Sequence, residues 1–226
     1  MALTRADIAT AARRYLDEVN AGVTVTGAHM TDAINRAMRE LNRVTEYNRV
    51  GVQVALATST REYTMTGTTT KIYRVRLGTG SSRVKLDPTS IARLDDEEPG
   101  WEAATAGTPS RYYTNGKYIG FVPKPHSTAA SGTVYMNVLQ TPSSLSSATA
   151  TPSWCPDEYH DTIAKRTALD LAGGMLASTD FAGSRAGWLY DQYLRDAQEM
   201  KRLAVRRSQE YVGSFKPTGY STFRNR

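Results

Sequence analysis

At 226 residues, 40% hydrophobic and 22% charged, the chain has the make-up of an ordinary folded protein, long enough for one large domain or two small ones. No apolar run approaches the roughly 20 residues that cross a bilayer, the N-terminus mixes acids with arginines where a secretory signal has an apolar core, and the single cysteine, Cys155, excludes an intrachain disulfide and a cysteine-built zinc cage. The formal charge of +6 is uneven: the segment from Arg195 onward carries +5, which suits nucleic acid, an acidic protein surface or plain solvation.

Ile8, Ala12, Tyr15, Leu16 and Val19 share one face at helical spacing, and Thr4 with Asp7 forms a capping-box pattern, so a first helix is predicted from about Arg5 until Gly22 ends it. A second begins near Thr26 or Thr31 with the stripe Met30, Ile34, Ala37, Met38, Leu41 and Val44. The period changes after Arg49. Val50, Val52, Val54 and Leu56 alternate as in a half-buried strand, and further strand runs are REYTM, KIYRVRL, SRVKL, SRYYT, KYIGFV and TVYMNVL. Asn115-Gly116 predicts a type I′ hairpin turn, and Asp95, Asp96, Glu97 and Glu98 read as an acidic solvated loop. SSLSSATATPS reads as a polar linker with almost nothing to bury.

Pro156, Asp157 and Glu158 then open a helix, since proline suits the first turn and acids there complement the helix dipole. Its stripe is Tyr159, Ile163, Ala164, Ala168, Leu171, Ala172 and Met175. A last helix follows Asp180 with Leu189, Tyr190, Tyr193, Ala197, Met200, Ala204 and Tyr211 along one side. The expected architecture is α+β: a four-helix body made from both chain ends, an inserted antiparallel β barrel or sandwich, and an extended C-terminal arm. The segments are a helical hairpin (1–49), the β domain (50–142), a linker (143–155), a helical pair (156–212) and the arm (213–226).

Chemistry is sparse. There is no Walker A loop, no G-x-G-x-x-G and no G-x-S-x-G. His160 and Asp157 share a helical face, but they lack further ligands, and an exposed histidine at an acidic helix start accounts for them. Neighbouring carboxylates at 95–98 in a flexible loop do not fix the separation that glycoside hydrolysis needs. No catalytic, metal or cofactor site is expected. Lys201, Arg202, Arg206 and Arg207 beside tyrosine would serve phosphate contact, so a DNA-binding accessory protein is one alternative and a lytic tail-associated hydrolase a weaker one.

The block GTPSRYYTNGKYIGFVPKP, then SGTVYMNVLQTPSSL, then PSWCPDEYHDTIAKRTALDLA resembles the head-to-tail adaptor (connector) proteins of tailed phages. The residues that carry the resemblance are Gly107 and Pro109, Tyr112 and Tyr113, Asn115-Gly116, Pro123 and Pro125. Pro142 and Leu145 follow at the exit, and Pro156, Tyr159 and His160 open the helix. The resemblance implies a non-enzymatic virion protein of the head-tail junction, assembled in the host cytoplasm. It implies a ring of copies, commonly twelve, that joins the portal to a downstream tail component such as a nozzle or tail tube. Such a ring lines the DNA exit channel with passive contact to genomic DNA, and has no membrane partner.

Within that frame Phe215, Lys216, Tyr220, Phe223, Arg224 and Arg226 are the expected contacts of the arm with the portal or a neighbouring subunit. Arg202, Arg206, Arg207 and Tyr211 form a candidate subunit interface, and Asp95, Asp96, Glu97 and Glu98 a candidate tail-component contact or channel loop. The arm's aromatics suit grooves on a partner, its arginines suit carboxylates, and 14 extended residues reach about 46 Å.

Overall fold

The structure is a computed structural model and describes residues 2–16, 25–65, 67–79, 82–175 and 185–213. In chain order the first elements are α1 (Arg5–Leu16), α2 (Gly27–Thr45), β1 (Arg49–Ala55), β2 (Glu62–Thr64), β3 (Thr69–Thr79), β4 (Ser82–Lys85) and β5 (Asp87–Pro88). Then come α3 (Ile91–Glu97), β6 (Arg111–Asn115), β7 (Tyr118–Val122), α4 (Ser127–Ala130) and β8 (Thr133–Gln140). A 3-10 turn (Asp157–Tyr159), α5 (His160–Met175) and α6 (Arg185–Gly213) complete it. The class is α+β, and the chain divides into two compact units: Met1–Tyr47 with Pro142–Arg226, and Asn48–Thr141. No described helix is long and apolar enough to cross a membrane.

In the first unit the apolar stripes of α1, α2, α5 and α6 meet in one buried cluster that includes Ile8, Ile34, Leu41, Ile163, Tyr193 and Met200. Ion pairs set the helices' register: Arg36 and Arg166 join α2 to α5 through Asp170 (2.8 Å) and Glu40 (2.6 Å), and Lys165 joins α5 to α6 through Asp196 (2.7 Å). The capping box forms: the Thr4 N–H donates to Asp7 Oδ2 (2.9 Å) and the Asp7 N–H to Thr4 Oγ1 (3.2 Å). Thr26 caps α2 by accepting from the His29 N–H at 3.3 Å. Val19 and Gly22, named at the sequence level, lie outside the described residues.

The segment after Thr141 departs from its reading as a linker with little to bury. Leu145 and Cys155 belong to the helical core, and the Leu145 N–H donates to the buried Asn35 Oδ1 at 2.8 Å. The carbonyls of Ala150 and Ala148 accept from the Arg5 and Ala6 N–H groups at 2.8 and 3.0 Å. Those amides are among the four that a helix start leaves without an intrahelical partner. Composition hid this role because backbone carbonyls, common to every residue, carry it.

Burial pushes the Cys155 thiol up to about 12 from an ordinary 9.0, and Tyr159 and Tyr193 up to about 12 from 10.0. All three raised groups hold their protons more tightly in the folded unit than in the unfolded chain. Their contribution is therefore complete below pH 9 and is lost as pH rises towards 12. Thermal unfolding of this unit should accordingly move to lower temperature from about pH 9 upward, and Cys155 should react with a thiol reagent at pH 8 only after denaturant opens the core. Rapid labelling of the native protein would contradict the burial.

The second unit holds two open four-stranded sheets, ordered β1-β8-β3-β4 and β2-β7-β6-β5. Residues of both enter one cluster, among them Val75, Leu77, Val134 and Met136 from the first and Tyr112, Ile119 and Phe121 from the second. Neither sheet closes, so the barrel alternative is excluded, and the pairing is antiparallel except where β5 runs parallel to β6. The short helices α3 and α4 lie between strands of this unit.

In β3 a register shift between Ile72 and Arg74 inserts an extra residue, Tyr73. Without it, strict alternation would put Arg74 and Arg76 on the side of Ile72. With it, Ile72, Val75 and Leu77 share the core face, opposite Val138, Met136 and Val134. The β6–β7 hairpin forms one residue later than expected, with Asn115 paired to Tyr118. Its two-residue loop is Gly116-Lys117, and only Gly116 has positive φ (57°), the pattern of a type II′ turn rather than I′.

Candidate interaction surfaces

On α6 the buried stripe is Leu189, Tyr193, Ala197, Met200 and Ala204. Tyr190, expected on that stripe, is instead 50% exposed, and Trp188 is 55% exposed. One residue is about 100° around a helix, so the immediate neighbours of Leu189 on either side leave the core. Farther along, the outward face carries a shallow groove lined by Gln198, Lys201, Arg202, Val205 and Arg206.

The structure brings Arg202 and Arg206 together on this face and separates Arg207 from them, because its guanidinium stacks 5.0 Å over the Tyr47 ring. The side chain of Tyr211 lies outside the described residues, as do Phe215, Lys216, Tyr220, Phe223, Arg224 and Arg226. Trp188 was missed by sequence reasoning. Its signal was an aromatic beside, but not on, the 3.6-residue stripe.

The acidic segment is not a loop. Ser90 caps α3 by accepting from the Arg93 N–H at 3.2 Å, and Leu94 is buried beneath the helix. Asp95 Oδ1 accepts from Trp101 Nε1 at 2.8 Å. Trp101 meets Tyr113 edge-on at 5.4 Å, and Arg61 lies over its indole at 4.7 Å. Glu97 pairs with Arg93 (2.7 Å) and Arg111 (3.5 Å), and Glu98 pairs with Arg111. Asp96 is exposed. Much of the segment's charge is thus tied into a local knot around Leu94, Trp101, Tyr113 and Val122, because one buried leucine and one indole sufficed to fold it.

His160 is buried rather than exposed. Its Nδ1 accepts from the Leu3 N–H at 2.9 Å, which makes Nε2 the protonated nitrogen, and Nε2 donates to the Cys155 carbonyl at 3.2 Å. Both ring nitrogens are occupied, so the imidazole has no lone pair left for a metal. Of its acidic neighbours, Asp161 accepts from the Tyr15 hydroxyl at 2.8 Å and pairs with Lys165 at 3.3 Å. No group of three or more metal-ligating side chains occurs among the described residues.

The residues that carried the resemblance prove to be joints of the fold. A Cβ on Gly107 would come within 2.9 Å of Pro123 Cγ, and Gly107 bridges to the buried Pro125. A Cβ on Gly120 would fall 2.1 Å from the Tyr113 ring, whose hydroxyl donates to Glu62 at 2.9 Å. Pro142, Leu145, Tyr159 and His160 are all buried. No curated protein matches the chain. The family model described as SU10 adaptor protein matches residues 3–216, thereby spanning both units and the whole of α6. The chain therefore belongs to the SU10 adaptor protein family, a family of phage head-to-tail adaptors.

Proposed function

We propose that this structural adaptor is a non-enzymatic part of the virion's head-tail junction. It assembles as a ring of about twelve copies, the number its family resemblance implies, and joins the portal to the next tail component around the DNA exit channel. The four helices α1, α2, α5 and α6 form the ring body. The outward face of α6 meets the portal or the next copy, and residues 213–226 extend that contact as an arm.

The observation that carries this reading is the surface that α6 leaves outside its core stripe: Trp188 and Tyr190 are exposed towards its start, and farther along Lys201, Arg202 and Arg206 line a groove with the exposed Val205. Exposed aromatics and arginines are the residue types that energetically dominant interface contacts are made of. Ordering an arm costs entropy and leaves one arm weak, but a ring engages many at once, and effective concentration raises the overall affinity. The α3 knot is a preformed contact for the tail component, since its carboxylates are already ordered.

Mass photometry of the portal ring from the same genome, mixed with this 24.8 kDa chain, tests the proposal. Full-length protein should add a discrete mass equal to a fixed number of copies, and a chain ending at Val212 should bind at least 10-fold more weakly, the loss of about 1.4 kcal/mol or more of contact. Equal affinity of the two forms would remove the arm from the mechanism. No added mass with either form would remove the portal.

A further inference from the structure

Strands β1, β3, β4 and β8 contain six basic residues and no aspartate or glutamate. Pairing places all six on one face. Arg76 is opposite both Tyr135 and Lys85, Arg74 opposite Asn137, and Arg83 opposite Gly78, while Arg49 and Lys71 both stand opposite Leu139. The alternate residues Val52, Val54, Val75, Leu77, Val134 and Met136 form the core face. The bulge at Tyr73 makes this segregation possible, since it restores Arg74 and Arg76 to the side of Lys71.

We propose that this sheet face binds the phosphate backbone of duplex DNA without regard to sequence. Arg74, Arg83 and Lys85 are exposed and Arg76 is half-buried. In-line neighbours of one face sit about 6.8 Å apart and adjacent strands about 4.8 Å apart, giving a rigid grid of donors. A carboxylate close by, Asp87, meets Lys85 at 3.2 Å with both side chains exposed, and such a pair yields readily to a phosphate.

The tyrosines hold the cations in place. Arg49 lies 4.3 Å and Lys71 5.0 Å from the Tyr73 ring centre, and Arg83 lies 4.1 Å from that of Tyr135. Tyr135 itself rests on Gly78, where a Cβ would come within 2.6 Å of its ring. Rings covered in this way are not open for stacking on bases, which points to backbone contact rather than base reading. With Tyr73 and Tyr135 covered by cations and Leu139 buried, the face offers charge rather than open apolar anchors of the kind a protein interface core uses, so a polyanion of uniform charge fits it better than an acidic protein surface. The choice of duplex DNA rests on the adaptor reading; the cationic face does not.

The test is fluorescence anisotropy of full-length protein with two labelled duplexes of equal length and unrelated sequence, titrated at several NaCl concentrations. With four cations engaged, log K should fall with log[salt] at a slope of about −3.6, or on the order of 100-fold between 50 and 200 mM, equally for both duplexes. The variant Arg74→Gln/Arg76→Gln/Arg83→Gln should flatten the slope by about 2.7, while Arg202→Gln/Arg206→Gln should leave it nearly unchanged.

Loss confined to the α6 variant, absence of salt-dependent binding by the unaltered protein, or binding to polyglutamate but not to duplex would each overturn the proposal. Portal docking by the triple variant, scored by mass, separates the two readings. Retained docking with lost duplex binding supports the sheet site and leaves the adaptor role intact. Lost duplex binding in a variant whose circular dichroism shows misfolding is resolved by the single variant Arg74→Gln, which should flatten the slope by about 0.9; an unchanged slope there counts against the site.

Discussion

Replacing Tyr113 with alanine should destabilise the Asn48–Thr141 unit by about 3–5 kcal/mol, the range for removing a large buried aromatic. The ring is 2% exposed, meets Trp101 edge-on, and lies over Gly120 where no side chain could fit. Truncation leaves a void between sheet and α3 that the rigid β6–β7 hairpin cannot close. Tyr113→Phe removes only the hydroxyl's bond to Glu62 and should cost about 1 kcal/mol. Urea unfolding followed by the fluorescence of Trp101, in a background where Trp154 and Trp188 are phenylalanine, reads this unit alone. Equal losses for the two variants would mean that the hydrogen bond, not the ring, holds the knot together.

His160→Ala should cost about 2–5 kcal/mol in the helical unit, because it leaves the Leu3 N–H and the Cys155 carbonyl without their partner as well as opening a cavity. The local signature is faster hydrogen exchange at Leu3, whose amide has its bond to this ring. His160→Asn keeps an acceptor close to the place of Nδ1 and should restore protection at Leu3 while leaving the Cys155 carbonyl unserved. Unchanged exchange at Leu3 in the alanine variant would show that the N-terminal segment is held by its capping box alone.

The sequence was most legible where burial repeats with a period. Every apolar run between Val50 and Leu139 that alternated is a strand, and the stripes of α2 and α5 are largely the core. It was least legible where a single contact decides the structure. Helix α3 buries one leucine and hides among acids, β5 is two residues long, and His160 looked exposed because its sequence neighbours are polar.

The cationic sheet face needed information that no single strand contains. Within KIYRVRL, a regular period of two would place Arg74 and Arg76 in the core, and only the pairing with β8 reveals the extra residue that turns them out. On α6 the stripe was readable, but the outward position of Tyr190 follows from which 100° sector the other helices cover, a tertiary fact. The matching family residues were legible as a set without their roles, which turn out to be steric fits and buried caps.

The way the Asn48–Thr141 unit begins and ends bears on how the helical unit is reached at all. Asn48 Nδ2 donates to the Gln140 carbonyl at 2.9 Å, and β1 lies directly beside β8 from Arg49–Leu139 onward. The chain therefore leaves this unit next to where it entered. Bringing α2 and α5 together across so long an unstructured excursion would carry a closure entropy on the order of 4 kcal/mol. Once β1 and β8 have zipped, the excursion behaves as a staple only a few residues wide, and the two halves of the helical core meet as near neighbours in sequence.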